Sequence, residues 1–183
     1  MKFHATPIHG LWEIETMPKG DARGSLTRLY CAEAVGEVAP GLRFVQVNHS
    51  ITGRRGTLRG LHFQRPPALE AKLIRCLRGR VFDVAVDLRL NSPTFARWHA
   101  VELSESNQRQ VLIPPGCAHG FQALADGCEL LYQHSAAHAP NCEDGVRHDD
   151  PRLAIAWPEA ITELSERDRG LRFLDACFEG VRV

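Results

Sequence analysis

Short apolar runs, each cut off by Gly, Pro, Asn or Ser, dominate this sequence and constrain its fold more than any other feature. The clearest is Val81-Phe82-Asp83-Val84-Ala85-Val86-Asp87-Leu88, where Phe82, Val84, Val86 and Leu88 share one face of a strand and Asp83, Ala85 and Asp87 the other. The flanking LRGR and LRLNSPTF supply turn chemistry. Similar runs occupy 43–49, 72–78, 97–103, 110–113, 118–124 and 129–134, and Pro114-Pro115-Gly116 separates two of them. Helical periodicity is weak, with candidates only at 31–38 and at 164–170, where Ser165 is placed to cap and Asp168 follows three residues on. The pattern predicts an all-β chain with short flanking helices. So many short strands are best accommodated in a sandwich or a closed barrel, since closure removes exposed edges. At 183 residues, one domain is expected, with a barrel core over roughly 43–135 and N- and C-terminal arms around it. A chain of this length can bury about 70% of the surface it exposes unfolded.

The charge balance narrows the partners. Lys+Arg and Asp+Glu each number 22, the net charge is zero, and no basic block occurs, which argues against nonspecific nucleic-acid binding. No run of about 18 apolar residues could span a membrane, and the opening MKFHATPIHG lacks the apolar centre of a signal peptide. The cysteines (Cys31, Cys76, Cys117, Cys128, Cys142 and Cys177) show no CxxC or other metal-like spacing. They read as reduced thiols of a cytoplasmic protein. Only three lysines occur, Lys2, Lys19 and Lys72, so a Lys beside an apolar stretch is a candidate for a special role.

Three strands carry ionisable residues where apolar ones would suffice. In Arg59-Gly60-Leu61-His62-Phe63-Gln64, simple alternation puts Arg59, Leu61 and Phe63 on one face and Gly60, His62 and Gln64 on the other. Lys72 opens a strand and shares a face with Ile74 and Cys76, and Tyr132 lies between Leu130 and His134 on another. Gln46 with Asn48, and His119 with Phe121, occupy further strand faces. Singly, a strand His is most often just hydrogen-bonded, a strand Tyr a core residue and a strand-end Lys solvated. Converging in one small barrel, they become a candidate pocket.

The segments RGLHFQRPP, KLIRCLRGRVFDVAVDLRLNSPTFARW, IPPGCAHGF and LLYQ, in this order and spacing, closely resemble the dTDP-4-dehydrorhamnose 3,5-epimerase family. The resemblance runs from Asp21-Ala22-Arg23-Gly24 to Ser165-Glu166-Arg167-Asp168. It implies a cupin-type jelly-roll barrel that forms a homodimer, binds a nucleotide-linked 4-keto-6-deoxy sugar, and epimerises it at carbons 3 and/or 5 without a cofactor or metal. By motif position, His62 matches the catalytic base, Tyr132 the acid and Asp168 the carboxylate that orients the His. Lys72 and His119 match residues of the sugar site, whereas Arg23, Gln46, Asn48, Arg59 and Glu143 match positions that hold the nucleotide, its phosphates or the sugar. Arg167 stands where Lys is frequent, and either can hold a phosphate.

Those residue types suit the chemistry. Epimerisation beside a ketone removes a proton from one face of the ring and returns one to the other, so two acid/base groups must flank it. A His, with a reference pKa of about 6.5, is available as a base near neutrality, and a carboxylate on its second nitrogen fixes its tautomer. A Tyr, with a reference pKa of about 10, is protonated and can donate. Only two tyrosines occur, Tyr30 and Tyr132, so Tyr132 has little competition for the donor role. A preorganised cation such as Lys72 suits the enolate oxygen.

Besides Arg167, three positions depart from the family pattern: Arg28 where Glu is usual, Val47 where Asp is common, and His138 where a Tyr is usual. They spare the acid/base set and bear on which nucleotide, which sugar, and one or two carbons. A mono-epimerase acting on another nucleotide sugar is therefore an alternative. A metal-dependent cupin dioxygenase is a second, with His119 as a ligand, but the first motif reads His62-Phe63-Gln64 and lacks its second His. A non-catalytic sugar-binding cupin is a third, against which stands the intact set of His62, Lys72, Tyr132 and Asp168.

Overall fold

The run around Val84 forms a strand of eight residues, Arg80–Asp87, and both of its faces are covered. The computed structural model describes every residue except Ala176. In chain order it contains β1 (Lys2–Ala5), β2 (Trp12–Glu15), β3 (Lys19–Asp21), β4 (Gly24–Leu26), α1 (Ala32–Val38), β5 (Gln46–Thr52), β6 (Leu58–Gln64), β7 (Lys72–Arg78) and β8 (Arg80–Asp87). β9 (Trp98–Ser104), β10 (Arg109–Ile113), β11 (Cys117–Ala123), β12 (Cys128–His134), β13 (Glu143–Gly145) and α2 (Glu166–Arg169) follow. The named strands pair antiparallel throughout, in a six-stranded sheet ordered β1-β2-β10-β7-β12-β5, a five-stranded sheet ordered β13-β6-β11-β8-β9, and a β3–β4 hairpin.

Three apolar clusters explain the sequence pattern. Between the sheets, Ile74 and Cys76 of β7, Val81 and Ala85 of β8, Phe121 of β11 and Leu130 of β12 form the barrel interior. Behind the five-stranded sheet, Phe63, Val84, Val86 and Leu88 pack on the C-terminal arm through Leu153, Ile155, Leu174, Phe178 and Val181. Behind the six-stranded sheet, Ile14, Leu73 and Leu112 are covered by Val35 of α1 and by Tyr30 and Phe44. The wholly apolar face of β8 is therefore the one under the C-terminal arm, and the face bearing Asp83 looks into the barrel. A strand buried on both faces loses polar alternation, and β11, buried at all seven positions, shows none. Each large side chain so buried contributes roughly 1.5–3 kcal/mol.

The strands expected at 72–78, 97–103, 110–113, 118–124 and 129–134 appear within a residue or so of their expected ends. The run at 43–49 begins later, as β5 at Gln46, because Arg43 and Phe44 belong to the segment leading out of α1. Ser165 does cap α2, its hydroxyl accepting from the Asp168 amide at 3.0 Å. The alternation expected for 59–64 is broken. Along the β6–β11 ladder His62 opposes His119 but Arg59 opposes Phe121, so β6 carries one extra residue there. Gly60, at φ +125°, takes that bulge, and Arg59 and His62 come to the same side as a result.

Candidate active site

The barrel opens into a cavity of about 1260 Å³, whose walls are formed by both sheets and by the segment around α2. It gathers His62, Lys72, His119, Tyr132 and Asp168 with Gln46, Asn48, Arg59, Glu143 and Arg167. Val47 and His138, two of the departures from the family pattern, also line it.

His62 on β6 donates through Nε2 to Asp168 Oδ1 at 2.7 Å, which leaves Nδ1 without a hydrogen bond among the described residues. Asp168 Oδ2 accepts from the Gly60 amide at 3.1 Å. Burial alone would push the Asp168 carboxyl up; the His62 bond and charge, with the Gly60 and Ser165 bonds, outweigh it and hold the group below its usual range. Beside this contact the backbones of β6 and β11 approach closely. A Cβ on Gly60 would lie 2.5 Å from Gly120 Cα, and one on Gly120 would lie 2.7 Å from Arg59 O.

Across the cavity, Tyr132 projects from β12 of the other sheet. Its ring meets that of His119 edge-on at 5.8 Å between centroids. Burial, followed by the nearby Asp83 carboxylate, raises the Tyr132 hydroxyl well above its ordinary range, so it carries its proton at any physiological pH. His119 donates through Nε2 to Asp83 Oδ2 at 2.8 Å, and Asp83 Oδ1 is buried without a hydrogen-bond partner among the described residues.

Lys72 opens β7, is 7% exposed, and bonds through Nζ to Glu70 Oε1 at 3.0 Å and to the His62 carbonyl at 3.3 Å. Glu70 Oε2 also lies 2.8 Å from His134 Nδ1. Burial raises the Glu70 carboxyl, but the His134 bond and the Lys72 charge more than offset this and keep it below its usual range.

At the mouth, Gln46 Nε2 donates to Asn48 Oδ1 at 3.2 Å, and Gln46 Oε1 accepts from the His138 amide at 3.0 Å. Glu143 holds His138 Nε2 at 3.2 Å and Arg167 Nη2 at 3.1 Å. Arg59 donates to the Ile51 carbonyl at 3.3 Å.

Arg23 is the exception among the expected site residues. It sits in the turn of the β3–β4 hairpin, its side chain 90% exposed and paired with Asp21, and takes no part in the cavity wall. The physical reason is that the hairpin extends from the chain with every residue of both strands exposed. Arg28 is likewise exposed outside the wall. Sequence reasoning missed Glu70 and Asp83, and named His134 only as a face-mate of Tyr132. A Glu two residues before the scarce Lys72 was the available signal for the first, and an Asp on an apolar strand for the second.

Among the described residues, no three His, Cys, Asp or Glu side chains are placed to hold a metal ion. Gln64, at the position of the second cupin His, is bonded to Ala68 O at 3.0 Å and to the Ala139 amide at 2.7 Å.

The family model described as dTDP-4-dehydrorhamnose 3,5-epimerase matches residues 5–176. A dTDP-4-dehydrorhamnose 3,5-epimerase from Pseudomonas aeruginosa is 47% identical over 163 residues, covering 87% of this chain and 89% of that one. A dTDP-4-dehydrorhamnose 3-epimerase from Streptomyces niveus is 40% identical, covering 92% and 82%. The crystal structure of a dTDP-6-deoxy-D-glucose-3,5-epimerase from Legionella pneumophila, in complex with dTDP-4-keto-L-rhamnose, superposes with a TM-score of 0.91 at 39% identity, covering 100% and 98%.

Proposed function

The chain belongs to the dTDP-4-dehydrorhamnose 3,5-epimerase family of cupin jelly rolls, and from that premise we propose the substrate, the residue roles and the assembly of this sugar epimerase. The substrate is a dTDP-linked 4-keto-6-deoxyhexose, and the reaction is epimerisation at carbons 3 and 5. The observation that carries the reading is that His62 and Tyr132 face one cavity from opposite sheets. A ring lying between them has a base on one face and an acid on the other, as inversion at carbon requires.

His62 Nδ1 takes the proton from the carbon beside the ketone, while Asp168 fixes the tautomer and stabilises the imidazolium. The electron pair moves to the ketone oxygen as an enolate. Lys72 has three N–H donors, of which Glu70 and the His62 carbonyl occupy two, so the third is free to meet that oxygen. Tyr132 then returns a proton to the opposite face. Its raised pKa suits a donor that must arrive protonated. Arg59, Arg167, Gln46 and Asn48 at the mouth hold the diphosphate and base, and His119 and Glu143 hold the sugar.

A homodimer gives Arg23 a role, with the exposed hairpin reaching the mouth of a neighbouring copy. The edge strand β5 presents Val47 and Ile51 at 63% and 61% exposure, a suitable surface for a second copy. No helix among the described residues is long and apolar enough to cross a membrane; we place the enzyme in the cytoplasm on its free cysteines.

The test is incubation with a dTDP-4-keto-6-deoxyglucose in deuterated water. Deuterium at both C3 and C5 supports the double epimerisation; deuterium at C3 alone identifies a mono-epimerase. No exchange at either carbon would refute the substrate assignment.

A further inference from the structure

Glu70 is a buried carboxylate for which the proton transfers have no use. Its side chain is 9% exposed two residues before β7, beside the cation proposed to face the enolate. A negative charge there weakens the field of Lys72, so its presence needs a compensating reason. The geometry supplies one. A lysine is a point charge on a flexible stem, and two fixed acceptors on either side hold it in one orientation.

The second oxygen reaches further. His134 is the cross-strand neighbour of Lys72 on one side and of Gln46 on the other. With Nδ1 donating to Glu70 at 2.8 Å, its Nε2 faces the Asn48 amide nitrogen at 3.4 Å. The His134 ring also lies nearly parallel to that of Tyr132, with 13° between planes and 5.9 Å between centroids. One carboxylate therefore holds both the cation on β7 and the imidazole against which the acid on β12 is stacked.

We propose that Glu70 and His134 are a positioning pair for the epimerisation, setting Lys72 and Tyr132 together from the same sheet. The proposal rests on the reaction assigned above. Neither residue touches the reacting carbons; both act through their neighbours. The pair belongs to the chemical step, and its one link to the nucleotide mouth among the described residues is the contact of His134 to Asn48.

The experiment measures kcat and KM on the dTDP-4-keto-6-deoxy sugar, Kd for dTDP alone and Tm, for the parent, Glu70→Gln, His134→Phe and the double variant. Glu70→Gln keeps the shape but faces one of its two donors with another donor. His134→Phe keeps the stack on Tyr132 but drops both the Glu70 bond and the contact to Asn48. The expected result is a kcat loss of about tenfold or more for Glu70→Gln, with KM and the dTDP Kd within about threefold of the parent. The double variant is expected within about threefold of Glu70→Gln, because the two residues act as one unit. A kcat within about threefold of the parent, a matching loss of dTDP affinity, or losses that multiply in the double variant would each overturn the proposal. Should Glu70→Gln fail to fold, His134→Phe decides by the same kcat criterion alone, because this variant also loses the contact to Asn48. An inactive parent refutes the reaction itself, which separates that failure from this one.

Discussion

Asp168 accepts two bonds at once, from His62 Nε2 at 2.7 Å and from the Gly60 amide at 3.1 Å, so the imidazole proposed as the base is tied to the β6 bulge through a single carboxylate. Asparagine has one acceptor oxygen and cannot satisfy both donors. Asp168→Asn should therefore release the ring or turn it to the wrong tautomer. The expected loss in kcat is about 10²–10⁴-fold with KM little changed, by analogy with carboxylate-to-amide changes in His-based hydrolases. Steady-state kinetics on the dTDP-4-keto-6-deoxy sugar test this; a loss under tenfold would mean that Asp168 does not orient the base.

Asp83 is expected to hold the Tyr132 proton in place. Its buried carboxylate disfavours tyrosinate, second only to burial itself. Removing the charge with Asp83→Asn should lower the Tyr132 pKa, and any alkaline limb of kcat that depends on its protonated form should move to lower pH. Alkaline difference absorbance reads the tyrosinate directly. With only Tyr30 and Tyr132 in the chain, a parallel titration of Tyr132→Phe assigns the signal. An unmoved Tyr132 titration in Asp83→Asn would show that burial alone sets it.

Much of this was legible beforehand because strand chemistry is local. The strand β7 began and ended where the run 72–78 does, and the scarce Lys72 was a sound pointer to the cavity. What failed was local reasoning applied to tertiary facts. Arg59 and His62 share a side only because Gly60 can take φ +125° and absorb a bulge, which strict alternation cannot anticipate. Glu70 and His134 are separated by 64 residues and meet only because β7 and β12 pair. Arg23 sits in the turn of an exposed hairpin, where a motif match gives its type and not its place. The strands β1 to β4 were missed because they are three or four residues long.

Asp87 is a structural carboxylate with a pH signature of its own. It accepts from Arg89 Nε and Nη2 at 2.9 and 2.8 Å, from the Arg89 amide at 3.0 Å, and from Ser92 Oγ and Thr94 Oγ1 at 2.6 Å each. Burial raises its carboxyl, but these bonds prevail and bring it down to about 2 from 3.8. A depressed folded pKa stabilises the fold above the unfolded value and loses that contribution as pH falls through the folded one. The shift corresponds to about 2 kcal/mol, present above roughly pH 4 and lost between there and pH 2. Asp87→Asn should cost about 2–4 kcal/mol at pH 7 by urea denaturation, and the gap to the parent should narrow on acidification below pH 4. A constant gap across that range would mean the charge is not what stabilises this turn.

Tyr132→Phe separates the two halves of the reaction. The variant keeps the ring, and with it the contacts to His119 and His134, but removes the proton that must arrive on the far face. His62, held by Asp168 on the opposite sheet, remains able to take the substrate proton and give it back. In deuterated water the expected outcome is deuterium at the carbon beside the ketone with its configuration retained, while inversion slows by about 10²–10⁴-fold. Mass spectrometry counts the deuterium and proton NMR reads the configuration in the same sample. Inversion that keeps pace with exchange would assign the acid to another group, and His119, in contact with the Tyr132 ring and bonded to Asp83, is the next residue to test.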